Sequence, residues 1–117
     1  MPQFIEGPSV VPGVEPKLIE EFVGGVNTGS ADMSVARMVA PPGWTEPGQR
    51  PEFDEVTLVL DGVVVVETEG ATFRVGAGQA IRMAAGEWVR YSTDTEGATY
   101  VAVCTPAFSP DTVNRDD

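Results

Sequence analysis

Hydrophobic positions in this chain come in short valine-rich runs, each closed by a turn signal. Met33–Ala40 is an apolar run stopped by Pro41-Pro42-Gly43. Glu55 to Leu60 and Val63 to Glu67 flank Asp61-Gly62, a pair favoured in two-residue hairpin turns. Glu69-Gly70 repeats the device before Ala71–Val75. Gln79–Met83, Trp88–Ser92 and Thr99–Cys104 supply further strands, separated by Ala84-Ala85-Gly86 and by the polar turn Thr93–Gly97. Lys17–Val23 reads as a short strand, with one helical turn as the alternative, ended by Gly24-Gly25. About eight short strands at spacings of about 8–12 residues predict an all-β sandwich or small barrel.

Pairing across Asp61-Gly62 sets Leu60 opposite Val63 and Val59 opposite Val64. One face then carries Glu55, Thr57, Val59, Val64, Val66 and Phe73, and the other Val56, Leu58, Leu60, Val63 and Val65. A sheet wetted on one side alternates apolar with polar, and this one does not. Its second face therefore needs cover from the proline-rich arm, another sheet or a second copy of the protein. Pro2, Pro8, Pro12 and Pro16 with Gly7 and Gly13 prevent a helix or central strand near the N-terminus and predict an extended arm. The chain thus divides into an arm with its first strand over 1–32, a barrel over 33–108, and a polar, frayed tail over 109–117.

Composition narrows the function. Thirteen Gly and ten Pro, scattered rather than clustered, disfavour a helical bundle. The net charge of -11 repels phosphate backbones and anionic headgroups, which argues against nucleic-acid and membrane partners. No apolar stretch reaches the roughly 20 residues that span a bilayer, and Met1–Glu6 lacks the pattern of a signal peptide, so a cytoplasmic protein is expected. The lone Cys104 agrees with a reducing compartment and reads as a packed thiol. There is no histidine, which removes the commonest general base and the imidazole ligands of most catalytic zinc and iron sites. Gly24-Gly25-Val26-Asn27-Thr28-Gly29 lacks the Lys-Ser/Thr ending of a phosphate loop.

Gly43 through Glu55, then six residues to Gly62, resembles the first motif of the cupin superfamily: Gly, five residues, His, one residue, His, three or four residues, Glu, six residues, Gly. Gln49 and Pro51 stand at the histidine positions, while Glu55 and Gly62 match. Gly78 through Val89 is similar to the second motif, with Ala84 replacing its proline and Val89 its histidine. Ala85–Thr93 also looks like cupins of the ethanolamine-utilisation type, on fewer residues. The resemblance implies a cupin-like β-barrel, a double-stranded β-helix or jelly roll, that binds a small organic ligand and pairs as a homodimer.

A cupin metal is normally held by three imidazoles and a carboxylate, and here only Glu55 survives. No transition-metal cofactor is expected. Glu46, Glu52, Asp54 and Glu55 with Gln49 offer oxygen ligands for a hard divalent cation; the plainer reading is a solvated acidic loop. Glu55 should point into an apolar barrel, where an ionised carboxylate is costly; it is either the candidate acid or base, with Gln49 polarising the substrate, or an anchor bonded to Gln49 or an arginine that organises the cavity mouth. Trp44, Phe53, Met38, Met83, Trp88, Val89 and Tyr91 are candidate pocket walls or plain core. Arg82 is a candidate for a substrate carboxylate, with Arg37 and Arg90 as alternatives, and pairing with surface acids is the competing role. Two functions stay open besides a metal-dependent enzyme with oxygen ligands: proton-transfer chemistry, and a non-catalytic ligand-binding or assembly protein.

Overall fold

In a computed structural model, which describes residues 1–117, every regular element is a β-strand. In chain order these are β1 (Ser9–Val11), β2 (Leu18–Val23), β3 (Ser34–Ala40), β4 (Asp54–Thr68), β5 (Thr72–Gly76), β6 (Ala80–Met83), β7 (Val89–Ser92) and β8 (Ala98–Thr105). All pairings are antiparallel, in the order β1-β2-β3-β8-β4-β5, with β6 and β7 also pairing β4. The expected all-β jelly-roll barrel is what forms. No helix is long and apolar enough to cross a membrane.

Strand β4 organises the barrel. Its first half pairs with β6 and β8, and its second half, Val63–Thr68, pairs with β5 and β7, so one strand passes from one wall to the other. The expected hairpin at Asp61-Gly62 is therefore a correction: the chain runs straight on, with a bulge where the register against β8 shifts between Val59 and Asp61. Gly62 adopts φ 76°, and a Cβ there would collide with the Gly97 carbonyl. A left-handed glycine serves a tight turn and a bulge equally, and long-range pairing with β8 decides between them.

The inner face nonetheless matches expectation. The bulge changes the phase of alternation, so Thr57 and Val59 are buried before it and Val64 and Val66 after it. Phe73 lies opposite Val66, on the expected face, but at the edge strand β5 it stays 47% exposed. Val59, Val64 and Val66 join Trp44, Val75, Met83, Val89, Tyr91 and Tyr100 in the main core. Each buried valine contributes roughly 1.5–3 kcal/mol over an exposed one.

The N-terminal arm is extended as expected and adds one short edge strand, β1, to β2. The tail, expected to fray, is instead docked. Glu52 N donates to Thr112 O at 2.9 Å, Arg50 N to Asn114 O at 3.1 Å and Asp116 N to Gly48 O at 2.8 Å. Val113 is buried with Phe53 and Cys104 in a second core cluster. The tail's polar groups bond to the backbone of loop 48–52 rather than to water, and one valine is too small a signal to forecast that.

Candidate functional site

Alternation along β4 makes Glu55 its first inward residue, opposite Met83 on β6 and Cys104 on β8. Inward positions of β3 and β8 bring Met38 opposite Tyr100 and Ser34 opposite Cys104. Loop 41–53 crosses the barrel mouth and is pinned by bridges from Thr45 to Ser92 and from Gln49 to both Val89 and Arg115. The arm adds Lys17 and Ile19, and the tail adds Arg115. Together they enclose a cavity of about 60 Å³, room for about four waters or a small organic molecule.

The polar end of the cavity is a ladder of opposite charges. Arg115 Nη1 donates to Glu46 Oε2 at 3.2 Å, and Lys17 Nζ lies 3.8 Å from the same oxygen. Lys17 also donates to Tyr100 Oη at 3.2 Å and sits 4.3 Å from the centroid of the Trp44 ring. Trp44 is fixed in turn by its Nε1 donating to Val14 O at 2.9 Å. Burial pushes the Lys17 ammonium below its ordinary pKa, opposed by the charges of Glu46 and Glu55.

Burial pushes the Glu55 carboxyl up from 4.5 to about 7, against the pull of Lys17 and with further push from Glu46. Some Glu55 surface is still accessible, yet its carboxyl is surrounded by protein, because that surface lies on the cavity wall. Burial, with the nearby Glu55 charge, holds Tyr91 and the Cys104 thiol well above their ordinary values. Tyr100 is raised in the same way, by burial and then by Glu46. Both phenols are therefore neutral hydrogen-bond donors, and Cys104 is no nucleophile.

Three buried polar atoms here make no hydrogen bond of ordinary geometry: Gln49 Oε1, Thr57 Oγ1 and Tyr91 Oη, the last lying loosely between Glu55 and Thr57. Gln49 and Tyr91 line the cavity, and Thr57 is the next inward residue of β4 after Glu55. An unpaired buried polar group costs about 1–3 kcal/mol. Three of them beside one carboxyl make a surface set for a polar guest.

Of the candidate residues, Glu55, Gln49, Met38 and Tyr91 share the cavity. Trp44 stands behind Lys17, and Met83 and Val89 are core. Phe53 packs edge-on to Phe108, centroids 5.8 Å apart, in the second cluster. Trp88 is a correction: its Nε1 donates to Asp116 Oδ2 at 2.9 Å and it clamps the tail. Arg82 is another, since alternation turns it opposite to Met83, onto the outer face, where it pairs with Asp54 at 3.4 Å. Arg37 and Arg90 likewise pair with Glu20 and Glu67 on the surface.

The acidic loop is not uniformly solvated. Glu46 is buried in the ladder, Glu52 accepts from Asn114, and Asp54 accepts from the Ala85 amide and Arg82. Those partners, the amide first, hold Asp54 below the usual carboxylate range. The carboxylates diverge, and no three His, Cys, Asp or Glu side chains converge as metal ligands. At the positions of the family's ligands only Gln49 and Glu55 carry a side-chain donor, and Val89 presents fully buried hydrocarbon. This set does not fit a three-imidazole metal.

Sequence reasoning missed Lys17, Tyr100 and Arg115 as site residues and misjudged Glu46. Lys17 had one signal, as the only lysine in the chain.

Residues 36–105 match the family described as "Cupin domain". A protein of Myxococcus xanthus named endoribonuclease YbeY is 46% identical over 108 residues, which is 92% of this chain but 37% of that protein. The chain thus spans little more than a third of that curated relative. A putative ethanolamine utilization protein Q from Salmonella typhimurium superposes with a TM-score of 0.65 at 24% identity, covering 86% of this chain and 80% of that one. The polyketide cyclase RemF from Streptomyces resistomycificus gives 0.74 at 17% identity, covering 97% and 84%.

Proposed function

This chain belongs to the cupin family, and from that footing we propose that it binds a small organic molecule inside the barrel and moves a proton on it, with Glu55 as acid and base. The observation that carries the reading is Glu55 itself: a carboxyl with a pKa of about 7, on a small and partly open cavity, beside a lysine and three polar atoms without an ordinary hydrogen bond. A group that titrates at the working pH serves as base in one half of a cycle and as acid in the other. In its ionised form Glu55 takes a proton from carbon next to a carbonyl. Lys17 and the neutral hydroxyls of Tyr91 and Tyr100 stabilise charge on the oxygen, Gln49 orients the substrate, and Glu55 returns the proton elsewhere. Isomerisation, cyclisation and elimination share this step, and the name of the cyclase neighbour agrees with the class by analogy of fold. No transition metal enters the scheme, because the residues at the family's ligand positions do not fit one.

The small size of the cavity, about 60 Å³, favours a second reading, a binding protein without turnover. Exchange of solvent deuterium into small ketones separates the two. Turnover predicts exchange that Glu55→Gln slows by about 10²–10⁴-fold; equal rates in both chains would sink the proton-transfer reading.

We extend the proposal to a cytoplasmic homodimer joined through the outer face of β3, β8 and β4. There Val35, Val103 and Val56 lie side by side, next to Val101 and Leu58, and Leu58 and Leu60 are 41% and 51% exposed. The Arg37–Glu20 pair at its border supplies both signs of charge to a self-complementary contact. The ribonuclease activity in the name of the Myxococcus relative is not assigned to this stretch, whose charge of -11 opposes RNA.

A further inference from the structure

The chain has one lysine and six arginines, and the distribution follows chemistry. All six arginines form ion pairs with side chains 30–73% exposed, whereas the Lys17 side chain is 6% exposed. Arginine suits a buried ion pair better, having a planar fork and a permanent charge. Lysine differs in one respect that matters here: it can lose its proton and become a nucleophile.

We propose that Lys17 is a covalent site for a small aldehyde or ketone, which it captures in the cavity as an imine. This rests on the reading of the cavity as a small-molecule site and adds the carbonyl class and the bond formed. Lys17 Nζ is held from three sides, by Tyr100 Oη at 3.2 Å, by Glu46 Oε2 at 3.8 Å and by the Trp44 ring at 4.3 Å. It faces a wall that includes Ile19, Met38 and Ala102, apolar enough for a short carbon chain. The charged and titratable groups that share the cavity with it are Glu21, Glu46, Glu55, Tyr91, Tyr100, Cys104 and Arg115, of which Glu46, Glu55 and Arg115 act on its charge. Burial favours the neutral amine, and the ring and carboxylate that receive the ammonium receive an iminium equally well.

The ammonium first yields one proton to solvent or to Glu46. The neutral nitrogen then forms a bond to the carbonyl carbon. Both remaining amine hydrogens end on the carbonyl oxygen, relayed by Glu55, and that oxygen leaves as water as C=N forms. An imine acidifies the neighbouring C–H, which places covalent capture immediately before proton removal by Glu55.

Reductive trapping tests this on the intact chain at pH 7. Acetaldehyde or butanone is added with sodium cyanoborohydride, and peptide mapping follows the Lys17 peptide, with the Met1 amine as internal reference. Capture predicts that Lys17 gains the mass of the carbonyl compound less one oxygen at least tenfold faster in the native chain than in the chain unfolded in urea, and that the rate saturates with carbonyl concentration. A lysine that is only buried is shielded, so slower labelling in the native chain overturns the inference. The Glu55→Gln chain should trap at least tenfold more slowly at saturation, because Gln cannot relay the amine hydrogens to the leaving oxygen, and an unchanged rate would overturn the relay. Trapping without deuterium exchange would uphold capture and sink proton transfer, and exchange without trapping would do the reverse.

Discussion

The two halves of β4 share one strand and one inner face, yet they face different interiors. Before the bulge Glu55 lines a cavity that also holds unpaired polar atoms, with Thr57 as the next inward residue, and only Val59, last before the bulge, belongs to the core. After the bulge the inward residues are Val64 and Val66, wholly buried in a filled hydrocarbon core. The filled end supplies stability that the hollow end consumes. Sites that bind or react are commonly held in such strained balance by a rigid neighbour.

That contrast breaks most readily at the filled end. Val66→Ala should lower unfolding stability by about 2–4 kcal/mol, since the cavity it leaves has no polar guest to fill it; urea titration at pH 7 measures it. The hollow end should respond in the opposite sense. Glu55 has a folded pKa of about 7 against 4.5 when free, so the folded chain holds this proton more tightly. Its contribution is neutral below about pH 4.5, falls as pH rises from there to about 7, and is level above that. At about 1.4 kcal/mol per tenfold change in proton affinity, the loss is about 3 kcal/mol. Glu55→Gln should flatten that slope, matching the parent in acid and exceeding it at pH 8, with a second set of urea titrations as the check. Thr57→Val replaces an unpaired buried hydroxyl with a methyl of the same shape and should raise thermal stability by about 1 kcal/mol; a loss instead would mean that the hydroxyl has a partner in solution. Leu58→Glu, on the outer face, should change monomer stability by less than about 0.5 kcal/mol while abolishing the dimer in analytical ultracentrifugation.

What the sequence reveals follows the same divide. Strand positions are legible because valine runs and turn pairs act locally, and the inner face of β4 is legible because a hairpin and a bulge sort its residues alike. Glu55 and Gln49 are legible through motif spacing. The turn at Asp61-Gly62 misleads because only β8, some forty residues away, decides that the strand continues. Arg115 is invisible in a polar tail whose docking depends on backbone groups of loop 48–52, and Trp88 looks like a pocket wall although its partner is Asp116. Lys17 stands out only by being alone of its kind, a signal of chemistry rather than of fold.

The bulge has a consequence for how this chain tolerates change in length. Leu60 is its extra residue, so without Leu60 the ladder of Val59 opposite Tyr100 and Asp61 opposite Thr99 would run on unbroken, with Val64 and Val66 still facing inward. One more residue there would instead turn Val63, Val65 and then Glu67 inward, and the four valines in a row would cover only the first part of that change. The strand is therefore built to lose a residue at this point more readily than to gain one.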